Sequence, residues 1–172
     1  MPHISLTILI DDPRWYRIAR LRARLEKTAK TTLTHLPKSL CFSCAATVLL
    51  TNDAAMRRLN RDFRGPDKPT NVLSFPHFTP RQLTKKGKAA QGVYAGDVAL
   101  GYQYIVAEAK RDHKILINHA THLLVHGILH LFGYDHVSGS GAIRMERLEK
   151  SIMSRLGLPD PYAPQQWEPK AR

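Results

Sequence analysis

The chain has 172 residues, 43% of them hydrophobic, with 26 Lys and Arg against 14 Asp and Glu and a formal charge of +12. That length fits one domain with a sizeable core, and the composition excludes a disordered chain. Two cysteines exclude a disulfide-built secreted scaffold, and the basic excess suits a polyanion such as nucleic acid, although basic proteins are often merely soluble.

Residues 3–10, HISLTILI, alternate with Ile4, Leu6, Ile8 and Ile10 on one face, which predicts a strand. No basic leader with a long apolar run opens the chain, so a cytoplasmic setting is expected. Asp12 followed by Pro13 suits an N-cap and first helical position, and one helix is expected from there to about residue 35. Ile18, Leu21, Leu25 and Ala29 form its inner stripe; Arg14, Arg17, Arg20, Arg24 and Lys27 mark the other face, read as solvated in preference to phosphate-binding. Pro37 ends the element. CFSCAATVLL reads as a second strand, so Cys41 and Cys44 are taken as small strand or core residues rather than a redox or zinc pair.

Asn52 or Asp53 caps a short helix over residues 54–63, with Ala55, Met56, Leu59 and Phe63 facing inward. RGPDKPT is a loop and VLSFP a short strand stopped by Pro76. Residues 80–91 are basic, contain glycine and lack periodicity, so a mobile loop is expected. GDVALGY is another strand. Helices follow over residues 103–112, 114–132 and 141–156, the last with Met145, Leu148, Ile152 and Leu156 inward and a Glu146–Lys150 pair outward. The helix over 114–132 is apolar nearly all round apart from His119, His122, His126 and His130. Four imidazoles do not suit a bilayer span, so it reads as the central helix of a soluble fold. Neither a repeat nor a second domain is visible; residues 1–160 read as a single domain and 161–172 as a loose, Pro-rich tail.

The stretch HGILHLFGYDH carries the chemistry. His126 and His130 are four apart, so both rings project from one helix face a turn apart. Gly133 breaks the helix and lets the chain return His136 as a third ligand. Three neutral imidazoles leave a zinc ion its full charge and an open position, the catalytic arrangement that lowers the pKa of bound water to about 7. Zinc is the choice on ligand type; imidazole also accepts nickel and copper. His122 and His119 continue the row upstream, either as groups behind the ligands or as buried polar residues with partners of their own. Asp135 either orients an imidazole or takes a proton, or bonds only to backbone, as Asp in turns often does.

Zinc proteases of the HExxH type share the paired histidines, but their base follows the first His, and here that position is Gly127. A basic domain with a metal and no carboxylate in the motif better suits phosphodiester chemistry. FRGPDKPTNVLSFP supplies Arg64, whose planar fork suits phosphate, with Lys68, Asn71 and Ser74 as further RNA-binding candidates.

DKPTNVLSFP, AGDVAL and HGILHLFGYDH, in this order along the chain, resemble the YbeY family of metal-dependent endoribonucleases, over about residues 40–158. The resemblance implies an α/β (α+β) domain with a mixed four-stranded sheet and five or six helices. It implies cleavage of single-stranded RNA, maturation of ribosomal RNA at the 16S 3′ end, ribosome quality control, and rRNA and the ribosome as partners. The family's zinc ligands fall on His126, His130 and His136, and its functional arginine on Arg64. Two departures stand out: the segment 77–95, with Arg81, Lys85, Lys86 and Lys88, is unusually basic, as is the helix carrying Arg14 to Lys30. Two alternatives stay open: a metal-dependent hydrolase of another bond, and a ribosome-assembly factor whose structural zinc takes Cys41, Cys44 or His122 as fourth ligand.

Overall fold

The computed structural model describes residues 2–79, 81–83, 93–136 and 139–163. The expected mobile loop over 80–91, with Lys85, Lys86 and Lys88, lies almost wholly outside them, as does most of the tail. Four strands, β1 (Ile4–Ile10), β2 (Cys44–Thr51), β3 (Val72–Pro76) and β4 (Val93–Gly101), form one sheet in the order β1-β2-β4-β3. β1, β2 and β4 run parallel, and β3 is antiparallel to β4. Among the described residues, five α-helices of ten or more residues accompany them: α1 (Leu21–His35), α2 (Asp53–Arg64), α3 (Tyr102–Arg111), α4 (Leu116–Leu131) and α5 (Gly139–Arg155). The mixed sheet and central helix agree with the sequence reading.

Register explains the core. Ile8 pairs with Val48, Val48 with Val98 and Val98 with Ser74, so these residues form one row across the sheet. Strand side chains alternate between faces, and this row and its neighbours Leu50 and Leu100 face the main core. α4 fills that core, with eleven of its residues buried, including Leu124, Val125, Ile128 and Leu129. A smaller cluster of Met56, Leu73 and Ala99 holds α2.

The helix expected over residues 13–35 is two pieces. A 3-10 turn, Pro13–Arg17, is capped by Asp12, whose side chain accepts from Arg14 N. Ile18 then takes an extended conformation, and Arg20 (φ 56°) is left-handed before α1 begins. Trp15 is the cause: it is fully buried, its Nε1 donates to Thr51 O at 3.0 Å, and its ring meets Tyr102 edge-on. Pinning this ring to the end of β2 fixes the entering chain at an angle that α1 does not share.

Phe63, expected inward, is 67% exposed; α2 buries only Met56 and Asn60. Its ring lies edge-on to Phe75, on a groove shared with Leu9, Leu49 and Leu59. Leu148 is half-buried, while Glu149, on the same inner stripe, is wholly buried. Cys41 and Cys44 are free, and burial pushes the Cys44 thiol up to about 12, as suits an inert strand residue. Among the described residues no helix is long and apolar enough to cross a membrane.

Candidate metal centre

The last turn of α4 presents His126 and His130 with their Nε2 atoms 3.0 Å apart. Gly133 (φ 83°) turns the chain, Tyr134 N donates back to Leu129 O, and His136 returns to the pair. Its ring centroid lies 5.5 Å from that of His126 and 5.1 Å from that of His130. One nitrogen from each ring lies within 4.8 Å of the others. Zinc–nitrogen bonds of 2.0–2.1 Å at tetrahedral angles place neighbouring nitrogens about 3.4 Å apart, so the trio fits one ion after small side-chain adjustment. Burial, then the neighbouring His126 and His136, hold His130 below the usual imidazole range, which keeps its lone pair available at neutral pH.

Behind the trio lies a residue the sequence reading missed. Glu149 of α5 is fully buried; its Oε1 lies 2.8 Å from His126 Nδ1 and its Oε2 2.8 Å from His122 Nε2. The Tyr162 hydroxyl also donates to Oε2. Burial pushes this carboxyl up, but the imidazole and phenol donors outweigh it and pull it down to about 2. An ionised carboxylate only accepts, so the proton of His126 sits on Nδ1 and Nε2 carries the lone pair a metal needs. The available signal was Glu149 itself, a charged residue on an apolar stripe between Met145 and Ile152.

His122 and His119 thus have partners of their own: His122 shares Glu149, and His119 Nε2 lies 2.8 Å from Glu108 Oε2. Asp135 accepts from His136 N at 2.7 Å and lines the cleft. Cys41, Cys44 and His122 stand outside the three-histidine group, the one such group among the described residues. Among the described residues, none of these three candidates for a fourth ligand joins the trio.

Gly127 has a packing reason. A Cβ at this position would stand 2.7 Å from Val98 Cγ1 and 3.2 Å from Ser74 Oγ, while Ser74 Oγ donates to Gly127 O at 3.1 Å. The position that carries the protease glutamate is pressed against the sheet here, and a longer side chain has no room.

The trio opens onto a cleft whose other wall is β3, with Arg64, Asn71 and Ser74 among its lining residues. Arg64 ends α2, and its Nη2 donates to Ser74 O at 2.5 Å while its guanidinium lies 5.9 Å from the centre of the Phe75 ring. The guanidinium carries further N–H donors in a planar fork of fixed geometry. Asn71 spends its amide within the fold: Nδ2 donates to Glu108 and Oδ1 accepts from Val72 N. Ser74 is buried with its hydroxyl on α4, and Lys68 lies outside the lining, its carbonyl accepting from Asn60 Nδ2. The structure therefore gathers Arg64 with the three histidines and gives Asn71 and Ser74 partners inside the fold.

A family model described as Endoribonuclease YbeY matches residues 15–157. An "Endoribonuclease YbeY" of Chelativorans sp. is 50% identical over 164 residues, covering 94% of this chain and 95% of the relative. One of Bradyrhizobium diazoefficiens is 39% identical over 163 residues, covering 94% and 87%. Similarity to the Nitrobacter hamburgensis protein of that name, 48% identical over 119 residues, covers 69% of this chain and 62% of the relative. The solution structure of TM1509 from Thermotoga maritima shares the fold at a TM-score of 0.58 and 20% identity, over 98% of this chain and all of that one.

Proposed function

The chain belongs to the YbeY endoribonuclease family, and on that premise we propose that it is a zinc-dependent endoribonuclease. Its substrate is single-stranded RNA, and its work is the maturation of ribosomal RNA at the 16S 3′ end and ribosome quality control, in the cytoplasm. The observation that carries the reading is the trio His126, His130 and His136, held from behind by Glu149 and facing Arg64 across an open cleft.

When bound, zinc supplies Lewis-acid chemistry, polarising a phosphoryl oxygen and acidifying water. The chain supplies the rest. Glu149 fixes the tautomer of His126, and burial keeps His130 neutral. Arg64 is held on the cleft wall by Ser74 O, so its fork meets phosphate without first being ordered, and it stabilises the charge that grows on the phosphodiester as the bond breaks. The +12 charge draws RNA in. Lys68, whose side chain is exposed, offers RNA a cation beside the cleft, while Asn71 and Ser74, whose side chains bond within the fold, shape the groove.

The test offers the zinc-loaded protein single-stranded RNA, duplex RNA and casein side by side. Cleavage confined to single-stranded RNA is expected; cleavage of casein, or of none of the three, counts against the reading. The product ends identify the nucleophile, since attack by water and by the 2′-hydroxyl leave different termini.

A further inference from the structure

The segment after α5 continues beyond residue 157, where the family match ends, and folds back onto the support of the metal centre. We propose that Tyr162 and Glu149 are positioning residues that act in series: the phenol holds the carboxylate, the carboxylate holds Nδ1 of His126, and Nε2 of His126 is thereby presented to the ion. The proposal rests on reading the three histidines as metal ligands.

The segment is pinned at several points. Lys114 Nζ donates to Pro161 O at 3.0 Å, Lys150 pairs with Asp160 at 3.6 Å, and Tyr162 N donates to Asp160 Oδ1 at 2.9 Å. The Tyr162 ring stands edge-on to His122, 5.4 Å between centroids, with Lys150 Nζ 5.5 Å from its centre. Although 43% of Tyr162 is exposed, its hydroxyl reaches a carboxylate that has no exposure at all.

The chemistry explains why a third donor matters. A buried carboxylate has about four lone-pair sites, and unfilled ones are costly. His126 fills one on Oε1, and His122 and Tyr162 share Oε2. With the phenol gone, Oε2 is held by His122 alone and the carboxylate is free to turn away from His126. Without the carboxylate, a neutral imidazole can carry its proton on Nε2, the atom that must bind metal. Carboxylates behind ligand histidines act in this way on metal affinity generally.

Metal-free protein is titrated with zinc against a chromophoric chelator, comparing the parent with Glu149→Gln, Tyr162→Phe and Tyr16→Phe, the last a control at a 67% exposed tyrosine remote from the site. Zinc affinity should fall about tenfold to hundredfold in Glu149→Gln and about threefold to tenfold in Tyr162→Phe, the worth of one hydrogen bond, with Tyr16→Phe unchanged. Proton–nitrogen correlation spectra of the metal-free proteins supply a second readout. His126 should carry its proton on Nδ1 in the parent and shift towards Nε2–H in the two site variants, a change that lost packing alone does not produce. Tyr162→Phe keeps the ring and its packing, so it decides the matter even if Glu149→Gln fails to fold. Zinc affinity in Tyr162→Phe within twofold of the parent, or an unmoved tautomer, overturns the proposal. A parent that takes up no zinc overturns it together with the metal reading. Affinities that fall as expected in a protein that cleaves no RNA uphold the positioning device and remove only the nuclease reading.

Discussion

At the scale of single residues, the proposed function divides the site's labour between groups that would hold a metal and a group that would work on charge. His126 lies in the cleft with Nδ1 committed to Glu149, so His126→Ala should lose zinc and RNA cleavage together, measured by metal content and by gel assay. Among the described residues, Arg64 donates to Ser74 O and hydrogen-bonds to none of the three rings. Arg64→Ala should therefore keep its zinc while kcat falls about tenfold to a thousandfold, the usual worth of one transition-state donor. Full activity in Arg64→Ala would remove its assigned role. The three histidines were legible in the sequence because helical spacing and a glycine turn are local properties. Glu149 was not, because its partners His122 and His126 lie on another helix and only folding brings them together. Asn71 and Ser74 were legible as polar residues near Arg64, but not as side chains whose hydrogen bonds the fold uses.

At the scale of elements, close packing of α4 on the sheet sets where the ligands stand. Gly127→Ala places a methyl against Val98, a stiff β-branched side chain, and should cost about 1–3 kcal/mol of stability in denaturant melts, as overpacking commonly does. The 3-10 turn before α1 makes an acid-sensitive joint. The Arg14 guanidinium hydrogen-bonded to Asp12 holds that carboxyl below the usual range, against the upward push of burial. A carboxyl depressed in the folded state contributes stability that is complete above its unfolded value of about 4 and is lost as pH falls through its folded value. The melting temperature should thus fall on acidification below about pH 4, and Asp12→Asn should flatten that limb. The joint was read from sequence as helix because Asp12–Pro13 is a good start signal and the apolar spacing runs on. What interrupts it is tertiary, the burial of Trp15 at the end of β2. Phe63 misleads for the same reason: it repeats the spacing of Met56, but it lines an open groove on the sheet and not a closed core.

At the scale of the whole molecule, the proposed function assigns RNA binding to an excess of twelve positive charges and cleavage to Arg64, the cationic fork among the described residues of the cleft. RNA affinity should fall with salt, log K against log salt sloping by about −0.7 for each phosphate neutralised on a single strand. Arg64→Ala should lower that slope by no more than about one such contact. The central helix was legible in its apolar pattern and the mixed four-stranded sheet through the family motifs; the order β1-β2-β4-β3 was not, because strand pairing joins segments far apart in sequence. The most direct test of the metal-centred account titrates chelator-stripped protein with zinc while following cleavage of single-stranded RNA. Cleavage should be absent at the start, rise in proportion to zinc and level off at one ion per chain. Full cleavage by the stripped protein, or a plateau reached with no zinc bound at His126, His130 and His136, would contradict it.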